Sequence, residues 1–590
     1  MAEPLPSAER IPAGRMTLSP AVRHGLWALL AFVVLTVVFT WPLVLRMPQA
    51  VVGEFGDNMH FVWMVGWFEQ ALLEQGISPY FAPQLNYPQG WELARSEIPT
   101  TLVLAGLPGS VIGQPVLGYN LAVLSSFVLS SLAAYICVFK LTNDPWAAFV
   151  AGAAYGLTPF RIAHFRAGHL NVLATMWLPL ILLGLIKILS DRRASRWYGV
   201  ATGVAFGLLA HSSMYATYLT ALVCGFAVLG YLVIAHRRLP PMRDLGKQLA
   251  AALAAGGPLL ATGLWPYLSL ASGGRLPERD VFSVTGGSAS LSDYLLPSTD
   301  HFLWGSWISD SFSRDSWIEG SLYIGLAIAG LAGLALWRRR QLEMPRAAFL
   351  LLALVAVAGL VISLGTHLHW NEQVVRLSLP EIVQARMGQD SISIRLPGYY
   401  LYQGLPYFDR LRTFKRAGVL VLGTAIILAG LGLSYWRRAS PGRALPLAAL
   451  ALVLFEFYPG PFETFSVVEP RPVDVWLREQ PGDGAVAEFP AELMTDQLHV
   501  YYTLENDKPY LGGFFNAFPP EQYLRTAPVL SNFPSARSVG LLTELRVAYV
   551  VVHLPHAVEA ETTSALLGTY GWYETWYGGG TAVFQRAERR

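Results

Sequence analysis

Charge and cysteine are what this sequence has least of. Only 14% of its 590 residues are Asp, Glu, Lys or Arg, and only two are Cys. Cys137 and Cys224 each lie inside an apolar run with no CxxC or Cys/His cluster nearby, so neither a disulfide framework nor a zinc site is indicated. A formal net charge of +2 leaves no basic field of the kind that binds nucleic acid. Internal repeats and low-complexity tracts are also missing. What fills the chain instead is apolar: 53% of residues are hydrophobic and the mean hydropathy is +0.40. These values are far from those of soluble domains and imply a polytopic α-helical membrane protein.

Charge-free runs mark the spans. The first, Gly25–Leu45, follows Arg10, Arg15 and Arg23 and lacks a small-residue cleavage site, which predicts a retained signal anchor. Further runs at Gly118–Phe139, Pro145–Phe160, Leu170–Ile186, Trp197–Ala210, Ser212–Ala235, Leu249–Leu270, Gly320–Trp337, Ala347–Gly365, Ala417–Trp436 and Ala444–Phe455 bring the expectation to about eleven helices, within a range of roughly 11–13. Thr100–Gly113 is apolar but short and interrupted by Pro108-Gly109, so it is expected to re-enter or lie at the interface. Basic connections fall in alternate gaps: Lys187 to Arg196, His236 to Lys247, Arg338 to Arg346, and Arg437 to Arg443. The positive-inside rule makes these gaps and residues 1–24 cytoplasmic. The loop 47–98 and everything beyond residue 459 are then extracytoplasmic. Residues 460–590 lose the long apolar runs and gain turns such as Pro481-Gly482-Asp483-Gly484. With Ala485–Phe489 and Val547–Val552 reading as strands and Val473–Arg478 as the start of a helix, they predict a small α/β domain following the membrane domain of residues 25–459.

The chemistry candidates gather on the outer side. The first loop carries Glu54, Asp57 and His60, then Phe61, Trp63, Trp67 and Phe68 at a spacing that predicts an amphipathic helix lying flat at the interface. Asp57 is read either as the cap of that helix or as a carboxylate held at the membrane surface. Arg161, His164, Arg166, His169 and Asn171 crowd a short outer gap, where unpaired charge is costly. His164 and His169 are five apart, so a regular helix would not put both on one face as a metal pair. A third cluster lies between His367 and Arg416: seven basic residues, including Arg395, Arg412, Lys415 and Arg416, against four acidic ones. This excess runs against the positive-inside bias and calls for an anion. Arg412 and Arg416, four apart, are expected to share a helix face and bind phosphate, although anionic lipid or the acidic first loop would also satisfy them.

The layout of a first span, an outer loop with an early aspartate, many later spans and an external C-terminal domain resembles the GT-C superfamily of lipid-linked-sugar glycosyltransferases. Gly56-Asp57, Leu85-Asn86-Tyr87-Pro88-Gln89-Gly90, Gly168-His169-Leu170-Asn171 and Pro406-Tyr407-Phe408-Asp409-Arg410-Leu411-Arg412 are similar to bacterial YfhO-like members, and the superfamily includes protein O-mannosyltransferases. The resemblance covers roughly Gly25 to Phe455. It implies transfer of a sugar from a polyprenyl-phosphate carrier to a glycan, lipid or protein acceptor on the outer side of a bacterial plasma membrane. By that resemblance Asp57 is the base or acceptor-positioning group. Arg412 and Arg416, with Arg395 and Lys415, would bind the donor phosphate, and Glu54, His60, His164, His169 and Asn171 would position substrate. Several relatives carry a second acidic residue, sometimes a metal ligand, near the place this sequence gives to His169; the sequence itself requires no divalent cation, and the metal is left open. The rival readings are a flippase for a lipid-linked sugar, for which Gly256-Gly257-Pro258 interrupts one span as in broken transporter helices, and a non-catalytic envelope assembly protein.

Overall fold

The computed structural model describes residues 19–586 except 192, 276–277, 343, 492, 514–518 and 555–556; Arg10 and Arg15 of the predicted tail lie outside the described residues. The protein is an α-helical membrane protein. Among the described residues seven helices are long and apolar enough to cross a bilayer: Pro20–Phe39, Pro115–Thr142, Leu170–Ser190, Met214–Ile234, Met242–Ser272, Arg346–Ser363 and Lys415–Ala439. Four shorter apolar helices accompany them, Thr100–Val111, Trp197–Ala210, Leu326–Trp337 and Ala444–Phe457. At about 1.5 Å per residue these cover roughly 20 Å each, less than the hydrocarbon thickness.

Hydrogen bonds at the helix ends sort the connections into two sets. At one end Tyr231 Oη donates to the Leu189 carbonyl, Gln248 Nε2 to those of Ala194 and Ser195, Tyr435 pairs with Gln341, and Arg437 pairs with Asp144. These bonds join the basic connections in two pairs, Lys187 to Arg196 with His236 to Lys247, and Arg338 to Arg346 with Arg437 to Arg443. At the opposite end Asn120 Nδ2 donates to Met47 and Ala50 carbonyls, Ser213 Oγ to Glu97, and Tyr215 Oη to Thr413. Here the long loops meet. Helix Thr100–Val111 packs on the first turns of Pro115–Thr142, Gly106 and Gly109 lying so close to Gly118 that a Cβ on either would fall within 2.7 Å of its backbone. It stays at the loop end of the bundle instead of running to the basic end.

Helix Met242–Ser272 is continuous through Gly256-Gly257-Pro258. Gly256 is there for packing: a Cβ would stand 2.0 Å from the Gly203 carbonyl oxygen of helix Trp197–Ala210. The interruption that favoured a transporter is thus a tight helix crossing, not a broken helix.

The C-terminal part builds a four-stranded sheet in the order Trp572–Gly578, Thr581–Arg586, Val547–His553, Ala485–Phe489, with the last two parallel and the others antiparallel. Its core holds Phe489, Val550, Trp572 and Phe584, each at most 3% exposed. The sheet is stitched to the first loop. Strand Ala50–Val52 pairs antiparallel with Phe465–Val467, and the Asn86 and Tyr87 N–H groups donate to the Gly512 and Tyr510 carbonyls, with Gln522 Nε2 donating to the Tyr87 carbonyl at 2.6 Å. The Leu85–Gly90 motif therefore docks the C-terminal part and lies away from the site described next.

The expectation of a surface-lying helix after Asp57 is corrected. Helix Asp57–Glu69 buries every residue from Asn58 to Phe68. Trp63 Nε1 donates to Thr503 Oγ1 at 3.1 Å on helix Leu493–Asn506, and Trp67 Nε1 to the Pro79 carbonyl at 2.9 Å. The aromatic face that would prefer an interface is covered by protein, because a helix more than four hundred residues later in the chain packs over it.

Candidate active site

The turn before helix Asp57–Glu69 decides where its aspartate points. Asn58 does the turn's work: its Oδ1 accepts from the Gly56 N–H at 2.9 Å and its Nδ2 donates to the Glu54 carbonyl at 2.8 Å. Gly56 is the cap residue and Asp57 the first helical one, with no side-chain capping bond. Of the two readings of Asp57, the cap is therefore excluded. Its carboxylate stands at the positive end of the helix, where negative charge is favoured, and faces His169 Nε2 at 3.5 Å.

His169 reaches that position through Gly168. The glycine has φ +75°, and a Cβ on it would lie 2.5 Å from the Asn58 amide nitrogen. The same turn folds His169 back so that its Nδ1 lies 2.8 Å from Nδ1 of His164. The two histidines do not share a regular helix, so the helical-face argument against their meeting does not apply: His164 ends helix Pro159–Arg166 and His169 precedes the next. Burial lowers the pKa of both rings, opposed at His169 chiefly by Asp57. Gly168→Ala is expected to cost about 1–3 kcal/mol from forced φ alone, and more from the clash. A thermal melt of the detergent-purified variant matching that of the wild type would refute the role given to this turn.

The next link is Glu319, in the loop before helix Leu326–Trp337. His164 Nε2 lies 3.6 Å from its carboxylate. Arg416 grips both oxygens, with Nε at 3.0 and 3.1 Å and Nη2 at 2.6 Å. Burial would raise the Glu319 pKa, but Arg416 and the two histidines outweigh it, and the carboxyl stays ionised well below the usual range. Arg416 also stacks over the Tyr215 ring at 4.9 Å. A chain of side chains therefore runs Asp57, His169, His164, Glu319, Arg416.

The two ends of this chain, Asp57 and Arg416, border a cavity of about 340 Å³. Its polar lining includes Asp57, His60, Glu97, Asn171, Arg279, Arg410, Arg412 and Arg416, and Met214, Leu264, Tyr267, Leu268 and Ala271 line it as well. Glu97 is fixed by Asn171 Nδ2 at 2.6 Å, Ser213 Oγ at 3.0 Å and the Tyr215 N–H at 2.6 Å. His60 is wholly buried, and desolvation depresses its pKa to about 3, so it is neutral here. Arg412 is exposed on the cavity rim and forms no carboxylate ion pair among the described residues.

Several sequence expectations change at this point. Arg412 and Arg416 do not share a helix face: Arg412 precedes the 3-10 turn Lys415–Ala417 that holds Arg416. They meet at the cavity through the loop's course instead. Lys415 points the other way into a buried network, its Nζ 2.5 Å from Ser316 Oγ and within 3.8 Å of Asp293 and Glu372. Arg395 lies over the Tyr399 ring at 4.5 Å, outside the cavity. Glu54 is exposed and contributes only its carbonyl to the turn. Arg161 is 1% exposed and spends its guanidinium on the Gly156 and Leu173 carbonyls, Thr175 and Ser126, which makes it a brace. Glu97, Glu319, Tyr215 and Arg279 were not singled out from sequence. Glu97 carried a signal, as an acidic residue next to the apolar Thr100 run.

His164, His169 and Glu319 offer three ligand atoms within 4.8 Å of one another, a set that could hold a divalent cation. Arg416 already neutralises Glu319 through both oxygens, so a metal there would compete with a guanidinium.

This helical architecture, with a carboxylate and arginines from its long loops at one end of an apolar bundle, is the fold of the GT-C membrane glycosyltransferases. Residues 28–428 match the model of a family described as a domain of unknown function, DUF6311, and the chain belongs to that family. Among solved structures it is similar to the arabinofuranosyltransferase AftD from Mycobacteria, with TM-score 0.56, 16% identity, and coverage of 96% of this chain but 42% of that one. The oligosaccharyltransferase of Archaeoglobus fulgidus gives 0.47 at 14% identity, covering 96% of this chain and 74% of that one. ArnT from Cupriavidus metallidurans bound to undecaprenyl phosphate gives 0.46 at 13%, covering 96% and 98%. No curated protein matches the chain by sequence.

Proposed function

We propose that the protein transfers a sugar from a polyprenyl-phosphate-linked donor to an acceptor outside the cytoplasmic membrane of a bacterium. Within the GT-C superfamily we read it as similar to YfhO-like and protein O-mannosyltransferase-related members. The observation that carries the proposal is the convergence of Asp57, Arg412 and Arg416 on one cavity that is also lined by apolar residues, with His169 set against Asp57. Asp57 accepts or orients the acceptor's proton as its nucleophile attacks the anomeric carbon. The carrier phosphate leaves toward Arg412, aided by Arg279 and Arg410 in the same lining. Arg412 suits that task because no carboxylate of the described residues neutralises it, whereas Arg416 keeps Glu319 charged and the histidine pair in place. The apolar lining of Met214, Leu264, Leu268 and Ala271 fits the first isoprene units, which explains why a lipid-borne donor would use a cavity at the bundle end.

The test is transfer of label from a radiolabelled polyprenyl-phosphate sugar to an acceptor by the purified, detergent-solubilised protein. Movement of label between leaflets of a vesicle without transfer would overturn the proposal in favour of a flippase. Binding of glycan with neither outcome would favour an assembly role.

A further inference from the structure

A second cluster, sharing no residue with the cavity lining, lies at the carboxyl ends of the two parallel strands of the C-terminal sheet. Glu488 comes from strand Ala485–Phe489, His553 is the last residue of strand Val547–His553, and His499 comes from helix Leu493–Asn506. Their ligand atoms fall within 4.8 Å of one another. Both imidazoles aim Nε2 at the same atom, Glu488 Oε1, at 3.3 Å from His499 and 2.6 Å from His553. The crevice beyond the carboxyl ends of parallel strands is where α/β sheets commonly place ligands.

The outer partners set the tautomers. Tyr510 Oη donates to Asp496 at 2.6 Å, so toward His499 Nδ1, 3.2 Å away, its oxygen is an acceptor and the histidine nitrogen carries the proton. His499 Nε2 is left to face Glu488 Oε1. His553 Nδ1 lies 3.0 Å from Thr581 Oγ1. Histidines whose second nitrogen is fixed by a hydrogen-bond partner while the first points at a shared centre are the usual metal-ligand pattern.

Charge agrees. Arg471 contacts both oxygens of Glu488, Oε1 among them, and is also held by both oxygens of Asp474, at 2.6 and 3.0 Å. Two carboxylates thus share one guanidinium, leaving a net deficit of one positive charge. The cavity cluster differs, since Glu319 has Arg416 to itself. Zinc at about 2.0–2.1 Å from each ligand would set ligand atoms about 3.3 Å apart, the spacing His499 already has, with the His553 contact lengthening to match. The His553 side chain is 31% exposed, which provides entry from solvent.

We infer that Glu488, His499 and His553 form a zinc-class metal site that pins helix Leu493–Asn506 to the edge of the C-terminal sheet. That helix is the one that covers Trp63 on the Asp57 helix, so the metal would hold the cover in place. The inference does not depend on the transferase proposal.

Full-length protein in detergent, stripped with chelator, reloaded with Zn²⁺ and desalted, is expected to retain one equivalent by elemental analysis. His553→Gln and Glu488→Gln should each drop retention to background, while His169→Ala keeps it. Co²⁺ reloaded into the wild type should give the visible bands of a tetrahedral centre, a readout that needs no variant to fold. Retention of zinc below one-tenth of an equivalent by the wild type, or loss of it in His169→Ala with His553→Gln unaffected, would overturn the assignment.

Discussion

Asp57→Asn should lower label transfer by roughly 10²- to 10⁴-fold, the range expected when a positioned general base is lost. Expression, monodispersity and melting temperature should stay at wild-type values. The separation of the two effects follows from the turn. Asn58, not Asp57, supplies the bonds that shape it, and Asp57 caps nothing. Asparagine fills the same volume and offers His169 an amide in place of a carboxylate, so packing survives while proton acceptance does not. Transfer at wild-type rate would remove Asp57 from the mechanism and leave only its charge at the cavity mouth to be explained.

Glu319→Gln is expected to act on stability first. The residue pairs with Arg416 through three short contacts and with His164 Nε2, and its side chain is only 19% exposed. Removing one partner of a buried pair leaves the other charge without compensation, at about 3–5 kcal/mol. Replacing both, as Arg416→Met with Glu319→Leu, should recover most of that loss, because apolar pairs of similar volume are often as stable as the ion pair they replace. Transfer should stay low in the double variant, since the histidine pair that faces Asp57 would have lost its anchor. A chemical-denaturation series of the three proteins decides the matter: equal loss in the single and double variants would show that the pair does not act as an energetic unit.

The membrane class and the position of the candidate groups beside apolar runs were legible because hydropathy and charge act locally. A charge beside an apolar run is costly, so Asp57, His164, His169, Asn171, Arg412 and Arg416 could be noticed from their neighbours alone. Which of them meet was not legible. Lys415 and Arg416 are adjacent in sequence, yet a single 3-10 turn sends one into the Asp293 and Glu372 network and the other to Glu319. The periodicity of residues 57–69 was read correctly as helical, but its aromatic face was assigned to lipid because the covering helix lies beyond residue 490. Glu319 sat in a loop whose composition resembles any interfacial girdle, and only the fold shows it as the hinge between Arg416 and the histidines.

The seam between Ala50–Val52 and Phe465–Val467, together with the Trp63–Thr503 bond, has a temporal side. A ribosome delivers the first loop long before the residues that close over it, so its tryptophans wait for a cover that the later helices precede. That loop's packing is finished only once the segments carrying Phe465–Val467 and Thr503 have been made, which ties the start of the chain to the end of its synthesis.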